Sequence, residues 1–125
     1  MSHRHLHLLI VDDYELFSRS IARTVRLEGY DNITVSKSVP QAIDLFLSNV
    51  SINVILSDIQ IGGWGRDGPD LYASVAEELR RRRGIFIAMT GSSEECVREP
   101  LTKHGVPVLN KPFPIEDFLR FLSQH

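Results

Sequence analysis

The chain has 125 residues, enough for one compact domain and too few for two. Its hydrophobic share of 42% and charged share of 24% are those of an ordinary globular chain, and its lone cysteine, Cys96, excludes an internal disulfide and fits a reducing cytosol. A formal net charge of −2 gives no ground for nucleic-acid binding by the domain, and no apolar run approaches the roughly 20 residues that cross a bilayer.

The stretch Met1 to His5 lacks the apolar core of a signal peptide, so a cytoplasmic domain without membrane contact is expected. The apolar run Leu6 to Val11 predicts a first strand near 6–11. His3, His5 and His7 alternate on its approach; they offer a weak metal-site reading against the plainer one that His7 leads into the strand. Phe17, Ile21 and Val25 recur at four-residue steps and predict a helix that stops at Gly29. A short second strand is expected near 32–36, around Ile33 to Val35. Ser38-Val39-Pro40-Gln41 reads as a capping box with Pro in the first turn, opening a helix whose apolar stripe runs from Val39 to Val50.

The run Ile52 to Leu56 predicts a third strand near 52–57. Beyond a glycine-rich loop, Leu71, Val75, Ala76 and Leu79 predict a helix that begins after Gly68-Pro69 and ends at Gly84. Arg80 to Arg83 at its end read as a solvated helix terminus favoured by the dipole, with an acidic-partner or nucleic-acid contact as the alternative. A fourth strand is expected near 85–90. Ser92-Ser93-Glu94-Glu95 resembles a helix start, but Pro100 lies inside and costs about 3 kcal/mol in a helix interior, so this helix is expected to be bent, split or late, beginning near Pro100. A fifth strand near 106–109 and a helix from Ile115 to Leu122, with Glu116 and Asp117 in its first turn, complete the pattern. Strands alternating with helices, and strands that are continuously apolar, argue for an α/β fold whose parallel sheet is covered on both faces.

In such sheets ligands gather outside the carboxyl ends of the strands. Reading just past each run gives Asp12 and Asp13, then Asp58, then Thr90, then Lys111. Three carboxylates on one rim repel unless a cation joins them, and an all-oxygen site of this kind suits Mg²⁺. A divalent cation beside a free carboxylate, a hydroxyl and an ammonium is equipped for phosphoryl transfer, with Asp58 attacking in line. The plainer readings are an N-cap for Asp13, a turn hydroxyl for Thr90 and a surface ammonium for Lys111.

Leu9-Ile10-Val11-Asp12-Asp13, Leu56-Ser57-Asp58-Ile59, Met89-Thr90-Gly91 and Leu109-Asn110-Lys111-Pro112-Phe113 together resemble the receiver domain of two-component response regulators, the CheY-like superfamily. The resemblance covers nearly the whole chain. It implies a flavodoxin-like (βα)5 three-layer sandwich with a parallel sheet of order 2-1-3-4-5, and a single receiver domain over 1–125 with no output domain. It implies that Asp58 accepts phosphoryl from a histidine kinase or histidine phosphotransfer protein, in a signalling module that has no separate substrate. Asp13 and Asp58 would bind Mg²⁺, or Mn²⁺ in its place, directly; Asp12 would do so through water, and the backbone carbonyl of Gln60 would be a further ligand. Thr90 and Lys111 would meet the phosphoryl group, with a cis Lys111–Pro112 bond. A downstream protein partner and a monomer or weak homodimer are implied; direct nucleic-acid contact is not.

The sequence departs from the family at two places. The segment Ile61 to Gly68 is about two residues longer and richer in glycine than usual in the family; it reads as a partner contact or a lid over the acceptor, or more plainly as a loop with Trp64 folded onto the surface. The position three residues before Lys111, usually aromatic, is Val108, which cannot rotate as a ring does. Output through the fourth helix or the Trp64 loop is therefore expected in place of a rotating ring. A phosphatase of the haloacid dehalogenase type would need Asp-x-Asp on the first strand, where Asp12 and Asp13 are adjacent. A degenerate receiver used only for docking or dimerisation is the remaining alternative. The sequence leaves open whether the domain stands alone or comes from a larger kinase or regulator.

Overall fold

The computed structural model describes residues 5–61 and 67–124. Strands and helices alternate from one end to the other: β1 (His7–Val11), α1 (Glu15–Leu27), β2 (Asn32–Ser36), α2 (Val39–Ser48), β3 (Val54–Asp58), α3 (Gly68–Arg81), β4 (Ile85–Thr90), α4 (Glu95–Thr102), β5 (Val108–Asn110) and α5 (Ile115–Ser123). All four strand pairings are parallel, in the order β2-β1-β3-β4-β5. This is the flavodoxin-like (βα)5 arrangement, and the order reverses between β1 and β3.

The strands read as continuous apolar runs because alternate side chains serve two cores. Leu8, Ile10, Leu56, Ile87 and Met89 point to the side covered by α1 and α5, where Ile21, Val25, Phe118 and Leu122 meet them. Leu9, Val11, Ile55, Phe86 and Ala88 point to the side of α2, α3 and α4, against Val39, Phe46, Leu71, Val75 and Leu101. Burying one such side chain contributes about 1.5–3 kcal/mol, so the two layers dominate the stability.

The turns are set by local chemistry. Gly29 adopts φ 97° after α1, and its amide donates to Arg26 O at 2.9 Å. The predicted capping box opens α2: Ser38 Oγ accepts from the Gln41 amide at 3.3 Å, while Gln41 Oε1 reaches back to the Lys37 amide at 3.1 Å. At the end of α3 the left-handed residue is Arg83, at φ 57°, not Gly84. Gly84 is needed for a different reason: a Cβ there would lie 2.3 Å from Asn53 O.

The helix α2 ends at Ser48, short of the predicted stripe to Val50, and Leu47 and Val50 are exposed; four further expectations need correction. β3 begins at Val54, not 52, since the Ile52 amide is used by Asn49 O at 3.2 Å in the preceding turn. β5 begins at Val108, not 106: the Val106 amide closes α4 by donating to Leu101 O, and Pro107 has no N–H for a ladder. α4 neither splits nor starts late; it runs unbroken from Glu95 through Pro100 to Thr102, with Leu101 fully buried. In a helix this short Pro100 forfeits a single intrahelical bond, and the burial of Leu101 offsets it.

The arginine run is the fourth correction. Arg82 turns inward, with its side chain 10% exposed. Its guanidinium donates to Phe46 O (3.1 Å), Asn49 O (3.0 Å) and Ile52 O (2.9 Å), pairs with Glu78 at 2.9 Å, and lies 3.9 Å from the Phe46 ring centroid. It thus caps the carboxyl end of α2. Arg81 stays outside and pairs with Glu77 and Glu78. His7 is likewise committed, since its ring nitrogens meet Ser51 Oγ and Thr34 Oγ1, each at 2.8 Å, and burial pushes its pKa down. That leaves His7 no free nitrogen for the histidine metal reading; His3 lies outside the described residues. No described helix is long and apolar enough to cross a membrane.

Candidate functional site

The carboxyl ends of β1, β3, β4 and β5 bring Asp12, Asp58, Thr90 and Lys111 to one rim. Asp12 comes directly after Val11, and its amide still donates to Ser36 O at 3.1 Å as if the strand continued. Its side chain is fully buried, and Oδ1 accepts from the Tyr14 amide at 2.9 Å, turning the chain into α1. The N-cap of α1 is Tyr14 without a side-chain cap bond, so the capping reading of Asp13 fails. Asp13 is exposed and faces the same space as its neighbours: Asp12, Asp13 and Asp58 each present a carboxylate oxygen, all within 4.8 Å of one another. Three hard anionic oxygens at this spacing fit a divalent cation such as Mg²⁺ and would repel without one.

Asp58 ends β3, opposite Met89. Its Oδ1 accepts from the Gln60 amide at 3.1 Å. The first residue of α3 braces the same backbone: the Gly68 amide donates to Ile59 O at 2.8 Å, and a Cβ at Gly68 would fall 2.8 Å from Ile59 Cα and 2.9 Å from Asp58 O. Glycine at 68 is what lets α3 start this close to Asp58. Residues 62–66 of the candidate partner loop, Trp64 among them, lie outside the described residues.

Lys111 links the acids. Its Nζ donates to Asp12 Oδ2 at 2.6 Å and to Asp58 Oδ2 at 3.0 Å, which removes the surface-lysine reading. The same nitrogen lies 4.5 Å from the Phe17 ring centroid, and Phe113 meets Phe17 edge-on at 6.2 Å. The Lys111–Pro112 bond is cis, as the resemblance implied. Burial opposes the Lys111 charge, but its hydrogen bonds to Asp12 and Asp58 and their charges outweigh it, so its pKa is raised. Asp58 is also raised: burial prevails over the hydrogen bond and charge of Lys111 and over the Gln60 amide, and the charge of Asp12 adds to the rise. Two carboxylates hold Lys111 charged, while Asp58 shares that one ammonium with Asp12.

Thr90 is fully buried at the end of β4, paired in register with Asn110. Its carbonyl accepts from the Lys111 amide at 2.8 Å, and its Oγ1 accepts from the Ser92 amide at 3.0 Å. The turn-hydroxyl reading is therefore true as far as it goes, yet accepting from Ser92 leaves the hydroxyl hydrogen to donate elsewhere. Ser92 Oγ in turn accepts from the Glu94 amide at 3.1 Å, so the hydroxyl of Thr90 begins a chain of turns that ends at α4. Val108 is half-buried against the α3–α4 core and has no ring to turn. Arg98 of α4 hydrogen-bonds Asn110 of β5. The contact of Phe17 and Phe113 with this rim is not visible in the sequence: the four-residue step of Phe17 marks only a core stripe, and nothing local links it to Lys111.

The raised Asp58 pKa has a testable consequence. The folded state holds the Asp58 proton more tightly than the unfolded chain, so stability is full below the unfolded pKa and is lost as pH rises through the folded one. At neutral pH without divalent cation, Asp58→Asn is therefore expected to melt at a higher temperature than the wild type. A divalent cation drawn to the ionised carboxylates should narrow the gap by stabilising the wild type more than Asp58→Asn. A lower melting temperature for Asp58→Asn in chelator at pH 7 would contradict this.

A family profile described as "Response regulator receiver domain" matches residues 8–123. Among solved structures, a response regulator receiver domain protein from Clostridium thermocellum superposes with a TM-score of 0.83 at 19% identity, over 95% of this chain and 92% of that one. The Vibrio cholerae chemotaxis protein CheY4 gives 0.77 at 19% identity, over 95% and 97%. A response regulator from Burkholderia pseudomallei, crystallised with a phosphorylated aspartic acid, calcium ion and citrate, gives 0.77 at 24% identity. This chain is covered over 90% in that match and spans only 64% of the Burkholderia chain. At these identities the likeness establishes the fold. No curated protein sequence matches.

Proposed function

Because this chain belongs to the response regulator receiver domain family, we propose that Asp58 accepts a phosphoryl group from a phosphohistidine of a kinase or phosphotransfer protein. The observation that carries the reading is the Lys111 ammonium, 2.6 Å from Asp12 and 3.0 Å from Asp58, beside three carboxylates that fit one cation. In the transfer an Asp58 oxygen forms a bond to phosphorus while the phosphorus–nitrogen bond of the donor breaks. The donor imidazole leaves, and Asp58 becomes an acyl phosphate.

Asp13 and Asp58 would hold Mg²⁺, with Mn²⁺ as the alternative; Asp12 would contribute through water and Gln60 through its carbonyl oxygen. The cation supplies charge neutralisation at the phosphoryl oxygens. Lys111 donates to the phosphoryl group as Asp58 loses its own negative charge, and the Thr90 hydroxyl donates to another of its oxygens. Hydrolysis later returns Asp58 to a carboxylate, with no second substrate, so the domain is a relay and not an enzyme in the usual sense. The intact acidic and cationic set speaks against a docking-only receiver.

Thr90, Ser92 and Glu94 form the route by which the phosphorylated state would reach a downstream protein through α4, a role that Val108 cannot take. A cytoplasmic setting, no direct nucleic-acid contact and a monomer or weak homodimer accompany this reading.

Incubation with acetyl phosphate and Mg²⁺ should add one phosphoryl group by mass, and chelator or Asp58→Asn should abolish the gain. Uptake that persists in Asp58→Asn would remove Asp58 from the role.

A further inference from the structure

Resting on the acceptor reading of Asp58 and Lys111, we propose that Phe17 is a positioning residue whose ring face holds the Lys111 ammonium where it meets the phosphoryl group. The ammonium nitrogen is 4.5 Å from the ring centroid, inside the roughly 6 Å over which an aromatic face attracts a cation. Phe17 lies in the first turn of α1, four residues after Asp13. Its ring is held in turn by Phe113, two residues after Lys111, at 6.2 Å and an interplanar angle of 76°. The loop that carries the ammonium therefore also carries the side chain that steadies its aromatic seat.

This seat does something the carboxylates cannot. Lys111 has a long flexible stem, and both of its charged partners pull it through hydrogen bonds. When Asp58 becomes an acyl phosphate it no longer offers a carboxylate. A ring face attracts the ammonium without accepting its hydrogens in strong bonds, so these remain for the phosphoryl oxygens. The Lys111 side chain is 19% exposed, so the attraction is only partly weakened by water.

Core packing alone would depend on the shape of the ring and not on its electrons. The test replaces Phe17, site-specifically, by mono-, tri- and pentafluorophenylalanine, which keep the shape and withdraw charge from the face. The rate of Asp58 phosphorylation by acetyl phosphate at saturating Mg²⁺ should fall stepwise, by about three- to tenfold in all, as expected for losing one partly buried cation–ring contact. In Lys111→Met the same fluorination should leave the residual rate unchanged.

A second readout needs no phosphoryl transfer. The Lys111 ε-methylene protons should be shifted upfield by the ring in the wild type and in Phe17→Tyr, and return to ordinary positions in Phe17→Leu. A rate indifferent to fluorination, or ε-protons without the ring shift, overturns the assignment of Phe17 while wild-type uptake on Asp58 leaves the acceptor reading standing. No uptake by the wild type sinks the acceptor reading, and the proton shifts still decide whether the ring holds the ammonium.

Discussion

Lys111→Met is expected to slow phosphoryl uptake by about a hundredfold or more, the effect of removing one preorganised donor from a developing charge. The same substitution should act on the resting protein. Asp12 is fully buried, Asp58 is 12% exposed by side chain, and both lose the ammonium they share. Removing one partner from a fully buried ion pair costs about 3–5 kcal/mol. Lys111 is 19% exposed, so water will screen part of this, and about 1–3 kcal/mol in metal-free buffer is the expected loss. Mg²⁺ should restore much of the stability and little of the rate, because a cation can replace the charge but not the hydrogen-bond donor. Lys111→Arg should keep more stability than rate, since a planar fork cannot occupy the place of a compact ammonium. Urea denaturation with and without Mg²⁺, beside uptake kinetics, separates the two effects. Equal recovery of both by Mg²⁺ would show that Lys111 is only a counter-charge.

Arg82→Ala should be among the most destabilising single changes outside the site. One guanidinium satisfies three carbonyls at and beyond the end of α2, pairs with Glu78 and covers the face of Phe46, a core residue with no exposure. A hydrogen bond from a charged donor contributes about 1.5–3 kcal/mol, and stranded carbonyls lose it without gaining water freely. Because these bonds share one group their effects do not add, and a total of about 3 kcal/mol is expected. Arg82→Lys should recover little of it, having a single point of charge for three acceptors spread over Phe46 to Ile52. Phosphoryl uptake measured well below the melting temperature should be retained. A loss under about 1 kcal/mol in urea would mean that water replaces the guanidinium, and the capping role would fall.

The sheet was legible because its strands are buried on both faces, which turns each into an unbroken apolar run such as Ile85 to Met89. The site was legible because the fold gathers the residues lying just past each run, so Asp12, Asp58, Thr90 and Lys111 could be read off strand ends before any contact was known. The features that stayed hidden depend on partners distant in sequence. Arg82 looks like one charge among four, and only the arrival of α2 and the turn after it, some thirty positions away, makes it a cap. Phe17 announces a core stripe, and its second role appears only when Lys111 is folded against it. Pro100 misled in the opposite sense: a local rule against proline was outweighed by burying Leu101. The late start of β5 could have been read from Pro107, which has no amide to offer a ladder.

One carboxylate, that of Asp58, is the proposed phosphoryl acceptor. The most direct test is to phosphorylate the wild type with acetyl phosphate and Mg²⁺, reduce the acyl phosphate with borohydride, and locate the product by peptide mass spectrometry. Homoserine is expected at position 58 and at no other acidic residue. Homoserine at Asp12, Asp13 or elsewhere in place of position 58, or no reduced product from a protein that has taken up phosphoryl, would contradict it.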